Sequence, residues 1–593
     1  MFHSTLFAAF AAFGIFAQAV EFVPFLNFSS PSPYIFHSLA TLLQTYPQTL
    51  FPNGHTITSV TIPRGTLLYH GRHDNNTVPS PEWLALDIEM AYGIMGNLRD
   101  SRMLTYRTTK DVQLVYFDGT SASLMGEGTV SQMVLLYNGT ENIPHRGGWG
   151  PPRRGGREAN MDGAAKEAED EPRRRPPGGW NPLEDEYVRA RGLCKWLKKY
   201  GLREVGTGGY EGVVRMNAGF EVIWCDFESP SLKLVSNLNV SAPMLEQVTS
   251  GWQKDFRQAP LQVQARLRTS DDEGPHGPGM TDPREPFRDT SNWFWFTAAA
   301  KRYHIESRIK LRICGLFSFY EHQLRNQSST RVEEEVVRLN LTANGQWQSP
   351  KGEFARNAGL DQLMKRRRRH YLSNVSNKDA FAMFTFLKRR LSNARDVCAG
   401  TDWAYVAQEI VARYSKEIQQ LQQLLSRDIT DYTSDWDALR SWFASTRSLT
   451  HWYLMPFIEY PPDRPYRKED LHQIFALESP VAKDTLERCA TQYDSDDYVP
   501  QEQHATYTAV KETLTTLCST IVAVGLNVEY RWLLDFNGRS LTKKEQNKAT
   551  TALSKAAQSW KGQVEELMAW LGWVDKWISC EARCGTEVCW PRV

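Results

Sequence analysis

The hydrophobic rhythm of the chain changes near residue 358. Before that point short runs alternate apolar with polar residues, the period of strands; after it apolar residues return every three or four positions, the period of helices. His55–Ile62, Gly65–Tyr69 and Val112–Phe117 predict strands, the last closed by the turn pair Asp118-Gly119. Gly212–Asp226 predicts one or two more. Ile309, Leu311 and Ile313 alternate with Lys310 and Arg312, which predicts a half-buried strand, and Val336–Leu341 is a candidate partner for it. Pro81–Met95 predicts a helix, with Ser80 as cap and Pro81 in the first turn, and Tyr187–Tyr200 predicts a second.

In the later part Trp403, Val406, Ile410, Tyr414, Ile418, Leu421 and Leu425 fall on one helical face. Tyr507, Val510, Leu514, Leu517 and Ile521 do the same, as do apolar positions from Leu553 to Ile578. Stripes of this kind predict a packed bundle. The expected fold class is therefore α+β. An N-terminal mixed strand and helix region (20–142 and 186–357) precedes a mostly α-helical region (358–593) with a Cys-rich end. Residues 143–185 interrupt the first region. That stretch is rich in Gly, Pro and charge and poor in aliphatics, so it is expected to be a disordered insertion. Ser270–Arg288 reads as a long loop.

The first residues add a compartment. Leu6–Phe16 is a short apolar run, and Ala17-Gln18-Ala19 follows with the small-x-small pattern of a signal-peptidase site, so residues 1–19 predict a signal peptide. The lead lacks Lys and Arg. No other run of about 18 apolar residues predicts a membrane span. Asn-x-Ser/Thr occurs at Asn27, Asn75, Asn138, Asn239, Asn326, Asn340 and Asn374, which predicts glycans on surface loops of a secreted protein. Of the nine cysteines, Cys489, Cys518, Cys580, Cys584 and Cys589 gather late and are disulfide candidates; Cys194, Cys225, Cys314 and Cys398 are scattered. The basic runs at 153–154, 173–175 and 365–369 are candidate processing sites.

Charge and motif content narrow the function. Lys and Arg number 69 against 68 Asp and Glu, so no net field draws the protein to nucleic acid. A phosphate loop, a zinc-binding H-E-x-x-H and a G-x-S-x-G elbow are absent from the sequence. Asp435-Trp436-Asp437 has the form of a metal-binding D-x-D, but it precedes ALRSWF and reads as a helix start; no metal site is expected. Asp494, Asp496 and Asp497 read as solvated charge. Nineteen Trp suit a large core, and with the abundant carboxylates they leave a sugar-acting enzyme as one alternative.

A more specific pattern flanks the insertion. Leu67-Leu68-Tyr69-His70-Gly71-Arg72 is a strand ending in Tyr-His-Gly; Trp83-Leu84-Ala85-Leu86-Asp87 and Ala91-Tyr92 follow, and Tyr210-Glu211-Gly212 leads to Gly219-Phe220-Glu221. This order resembles the ADP-ribosyltransferase-like fold over about residues 60–145 and 200–235. The resemblance implies NAD as cofactor, with His70 on the nicotinamide ribose, Trp83 and Tyr92 stacking, and Glu211 or its rival Glu221 as catalytic carboxylate. The activity implied is ADP-ribosyl transfer or NAD hydrolysis. The segments around Leu68–Arg72, Pro81–Ala85, Tyr116–Ala122, Val214–Glu221 and Glu566–Cys589 are also similar to a group of uncharacterised secreted fungal proteins. From these readings the expectation is a secreted glycoprotein, acting at the cell wall or on an extracellular protein partner, with the NAD-consuming enzyme as the alternative.

Overall fold

The computed structural model describes residues 21–45, 54–143, 182–240, 304–323, 372–393 and 400–577, and the short pairs 583–584 and 587–588. Within these ranges residues 24, 73, 96–100, 123–128, 204–208, 217–218, 373–374, 463–464, 495–498, 500–502 and 537–540 are left aside. The signal-peptide segment, the basic runs, Val336–Leu341, Ser270–Arg288, most of the 143–185 insertion, Asn326, Asn340, Asn374, Cys398, Cys580 and Cys589 lie outside the described residues. The chain divides into two compact units. One comprises Met1–Leu26, Gln420–Ser495 and Lys511–Leu567; the other comprises Asn27–Gln419, Asp496–Val510 and Met568–Val593.

The larger unit is built on a nine-stranded sheet. Its strands are β1 (Thr56–Ile62), β2 (Leu67–Arg72), β3 (Glu82–Ala85), β4 (Arg102–Thr108), β5 (Val112–Phe117), β6 (Gly212–Met216), β7 (Phe220–Trp224), β8 (Leu232–Asn239) and β9 (Lys310–Ser318), in the spatial order β8-β4-β2-β3-β7-β6-β5-β1-β9. Neighbours pair antiparallel except β5 and β6, which run parallel. A parallel pair needs a long crossover. This one holds α3 (Val130–Tyr137), the 143–185 insertion and α4 (Pro182–Lys199). The insertion therefore enters the chain inside a connection rather than inside a strand.

One sheet face carries Ile57, Val115, Phe117, Val213, Ile223 and Phe317, packed against Ala190, Leu193 and Leu197 of α4 and Val134 of α3. A further helix, α5 (Asn377–Asn393), adds Met383, Leu387 and Leu391 to the same core. All seven residues of β1 are buried, Thr and Ser included, because the strand lies inside the sheet. The helix expected over Pro81–Met95 is shorter than its pattern. Glu82–Ala85 pairs with Glu221–Trp224 as a strand, and α2 covers only Ile88–Met95. Four residues of pairing to a buried neighbour outweigh the local helix signal, since propensity is a weak prior. At the N-terminal side α1 (Ser32–Thr41) is tied to the turn Val574–Trp577: His37 Nε2 lies 2.8 Å from Asp575 Oδ1 and Phe36 stacks on Trp573.

The remaining helices are α6 (Trp403–Leu425), α7 (Trp436–Leu454), α8 (Pro480–Ala490), α9 (His504–Arg531) and α10 (Lys543–Leu571). The mostly helical C-terminal region agrees with the change of period near residue 358. Asp435 is the N-cap of α7, its carboxylate accepting from Asp437 N and Ala438 N, so the D-x-D opens a helix. In the smaller unit Arg447 donates to both oxygens of Glu529 at 2.6 and 2.8 Å, and Phe443 packs with Trp532, Phe536 and Trp560. Gly525 lies against Leu454, where a Cβ would come within 2.4 Å of a methyl. Among the described residues, the helical stretch His504–Phe536 is long and apolar enough to cross a membrane, but most of it is buried, as in a core helix.

Disulfides join elements in both units. Cys194 of α4 bonds Cys225, just past β7, and Cys489 of α8 bonds Cys518 of α9. Their sequence separations are 31 and 29 residues. Cys314 of β9 is also disulfide-bonded. Loop closure of this size stabilises a fold by about 3 kcal/mol. Cys194→Ser with Cys225→Ser is expected to lower unfolding stability by about that amount, read as a fall in the urea midpoint with a slope that rises as the uncrosslinked denatured state exposes more surface.

Candidate functional site

The centre of the sheet is polar where most sheets are apolar. Arg215 of β6 and Glu221 of β7 are register partners, so both point to the face covered by α3 and α4. Arg215 donates to Glu221 Oε1 from Nε at 3.1 Å and from Nη2 at 2.5 Å. Nη2 also reaches Glu186 Oε2 of α4 at 2.7 Å, and Nη1 reaches Gln132 Oε1 of α3 at 3.4 Å. Arg189, one turn along α4, pairs with Glu186 and donates to Thr129 at 3.4 Å. Two guanidinium groups meet two carboxylates, so the buried charge balances. Buried charges persist only when paired in this way.

Another buried carboxyl is Glu82, the first residue of β3 and only 6% exposed, reached from α4 by Tyr187 next to Glu186. Its carboxyl accepts from the Tyr187 hydroxyl at 3.1 and 3.3 Å and from Trp83 N at 3.4 Å. Among the described residues no cation lies within salt-bridge distance of it. Burial pushes its pKa from 4.5 to about 7, against the opposing pull of Tyr187, the Trp83 amide and the more distant Arg72. Burial, the Glu82 charge and the hydrogen bond to it push the Tyr187 hydroxyl well above the usual phenol range. Tyr187 meets Trp83 edge to face at 4.7 Å between ring centres.

The candidates for NAD binding and catalysis do not share one cleft. Tyr69 packs on the α2 side with Ala85, Met90 and Met103, so the next residue, His70, points to the other face, towards Phe227 at 6.2 Å. Its ring touches β3 only through the backbone, Nδ1 donating to Trp83 O at 2.7 Å. Burial lowers its pKa to about 4, so the imidazole is neutral. The Trp83 ring lies on the α4 face. Tyr92 packs into the small cluster of Ala85, Met90, Ala91 and Met103.

Glu221 is on the Trp83 face, two register positions away on the neighbouring strand, and is held by Arg215. Glu211 precedes β6, three strands from β2 and so roughly 14 Å across the sheet from His70's strand. Burial opposes its ionisation, but hydrogen bonds from Ser231 and Ser229 (2.7 Å) and Lys110 (3.1 Å) outweigh that and hold its pKa below the usual carboxylate range. The convergence that the resemblance implied is absent because alternation along β2 and β3 sends His70 and Trp83 to opposite faces. Among the described residues no group of three or more His, Cys, Asp or Glu is placed to hold a metal ion.

Sequence reasoning missed Glu82 and Arg215. A Glu after Pro81 looked like an ordinary acidic first-turn residue of a helix. The signal for Arg215 was stronger: a charge in the middle of the apolar run Gly212–Met216, which demands a buried partner.

Residues 94–248 match the family model described as the YPL277C N-terminal domain. Two uncharacterised proteins of Saccharomyces cerevisiae (strain ATCC 204508 / S288c) are similar to the chain. YOR389W is 27% identical over 263 residues, 38% of this chain and 36% of the relative. YPL277C is 26% identical over 264 residues, 38% of this chain and 46% of the relative. The chain thus spans less than half the length of these curated relatives. No solved structure matches significantly. The resemblance supports an uncharacterised fungal family. The matched span contains the Arg215 network and Glu211, but begins after His70, Glu82, Trp83 and Tyr92.

Two outcomes follow from the geometry. Arg215→Leu leaves Glu221 and Glu186 without their shared cation and is expected to cost about 3–5 kcal/mol in a chemical unfolding titration. The Glu82 pKa is raised in the fold, so the folded state holds its proton longer and stability falls as pH rises from 4.5 to about 7. His70 acts with the opposite sign, its lowered pKa costing stability as pH falls from 6.5 to about 4. Glu82→Gln should remove the fall between pH 4.5 and about 7 and stabilise the protein above pH 7 by up to about 3 kcal/mol, measured as unfolding free energy against pH.

Proposed function

We propose that the protein is a secretory-pathway glycoprotein that acts outside the cytosol, at the cell wall or on an extracellular partner, through its surface rather than through NAD chemistry. The observation that carries this reading is the formed cystines at Cys194–Cys225 and Cys489–Cys518, bonds that persist in oxidising compartments and are rare in the cytosol. The sequons agree with it: Asn27, Asn75, Asn138 and Asn239, the four among the described residues, are all exposed. Asn138 sits at the left-handed C-cap of α3 and Asn239 ends β8, both exposed positions at the end of an element.

The alternative, an ADP-ribosyl-transferring or NAD-hydrolysing enzyme, has one observation in its favour: His70 and Trp83 lie on adjacent strands and touch through a hydrogen bond. Against it stand the opposite faces of their rings and the commitment of Glu211 and Glu221 to neighbouring donors. Protein purified from a secreting fungal host should drop in apparent mass on peptide-N-glycosidase treatment and should carry both cystines in non-reducing peptide maps. An unglycosylated, fully reduced product would remove the secretory reading. Incubation with NAD should show no consumption; turnover abolished by Glu211→Gln or Glu221→Gln would restore the enzyme reading.

A further inference from the structure

The two edges of the nine-stranded sheet are treated differently. At one end β9 is covered: α5 packs along it, Phe386 lies 6.2 Å from Phe317, and the Arg390 guanidinium donates to the Leu316 carbonyl. Most of β9 is buried. At the other end β8 pairs with β4 on one side, and among the described residues no strand pairs with its outer side. Six of its eight residues are exposed, including Leu234 at 45%, Val235 at 40% and Leu238 at 54%. Lys233 is its one charged side chain. An open, apolar edge of this length is a template for pairing with another chain.

Two sequons meet at this edge. Asn239 is the last residue of β8. Arg72 of β2 is the register partner of Arg102 on β4, and Arg102 is the partner of Asn239, so the loop after β2 emerges at the same end of the sheet. Asn75 is in that loop, and Asn237 of β8 donates to Asn75 Oδ1 at 2.8 Å. That bond uses the oxygen, so it is compatible with a sugar on Asn75 Nδ2. The other two exposed sequons lie elsewhere, Asn27 before α1 and Asn138 after α3.

We propose that N-glycans on Asn75 and Asn239 shield the open β8 edge and keep it from pairing with a second copy of this chain. In forming each linkage the asparagine Nδ2 bonds to the anomeric carbon of a lipid-linked oligosaccharide, one N–H proton passes to the host transferase's base, and the lipid diphosphate leaves. The glycans then do for β8 what α5 does for β9, with hydrated sugar in place of a packed helix. The inference rests on the secretory reading above and goes beyond it by giving two of the sequons a physical task.

The test uses the full chain secreted from a glycosylating host. Thr77→Ala with Ser241→Ala removes both sequons and keeps both asparagines; Ser29→Ala removes the Asn27 sequon as a control. Light scattering after size exclusion should show the weight-average mass of the double variant at least doubling relative to the wild type, with the control unchanged. Adding Leu234→Lys to the double variant should restore the wild-type mass, since a charge on the edge blocks pairing; this arm separates edge association from misfolding. A double variant that keeps the wild-type mass overturns the proposal. So do glycopeptide maps with sugar on Asn27 or Asn138 but none on Asn75 and Asn239, a result that leaves the secretory reading intact. Maps with no sugar on any sequon overturn both.

Discussion

The larger unit depends on Arg215. Its guanidinium touches the sheet through Glu221, α4 through Glu186 and α3 through Gln132. A buried arginine cannot shed its proton and cannot tolerate an unpaired neighbour, so the three elements must assemble in one arrangement for its donors to be met. Apolar packing of Leu193, Leu197, Val213 and Ile223 supplies area but little register. The charge network supplies register. The Cys194–Cys225 bond ties the same helix to the residue just past β7, so electrostatic and covalent ties hold α4 at the two ends of that strand.

That contact explains how the fold accommodates a long insertion. The stretch from 143 to 185 enters the crossover between β5 and β6, whose ends are fixed by parallel pairing of Leu114–Tyr116 with Gly212–Val214. Extra length in a connection costs only about 0.6 kcal/mol per doubling, because closure entropy grows with the logarithm of length. What matters is that the chain returns with α4 in place, and Glu186 and Arg189 secure that return.

Much of this architecture is legible in the sequence. The strand-like runs His55–Ile62 and Val112–Phe117, the helical stripes from Trp403 onwards and the Asp435 cap all follow from local pattern and chemistry. The short strand β3 was not legible, because Ser-Pro-Glu looks locally like a helix start and only the distant β7 makes Glu82–Ala85 extended. The pairing of Cys194 with Cys225 was equally hidden, since spacing alone does not bring a helix onto a strand end. The candidate site was legible by residue type and not by direction. A one-residue step along β2 separates Tyr69 from His70 and turns their side chains to opposite faces.

Three carboxyl groups in this region show why direction decides chemistry. Glu221 is paired with a buried guanidinium, and Glu211 is satisfied by two hydroxyls and an ammonium that hold its pKa below the usual carboxylate range against the pull of burial. Glu82 has a phenol and one amide for partners and sits with its proton near neutrality. Taking a new partner would cost Glu211 its contact with Lys110 and Glu221 its contact with the buried Arg215. Glu82 can change its protonation without stranding a cation, so it is one place where the sheet responds to pH, with His70 acting in the opposite sense. Glu211 and Glu221, rivals for the one catalytic role that the resemblance implied, each join neighbouring elements, and the responsive carboxyl is the residue that pattern alone disguised as a helix start.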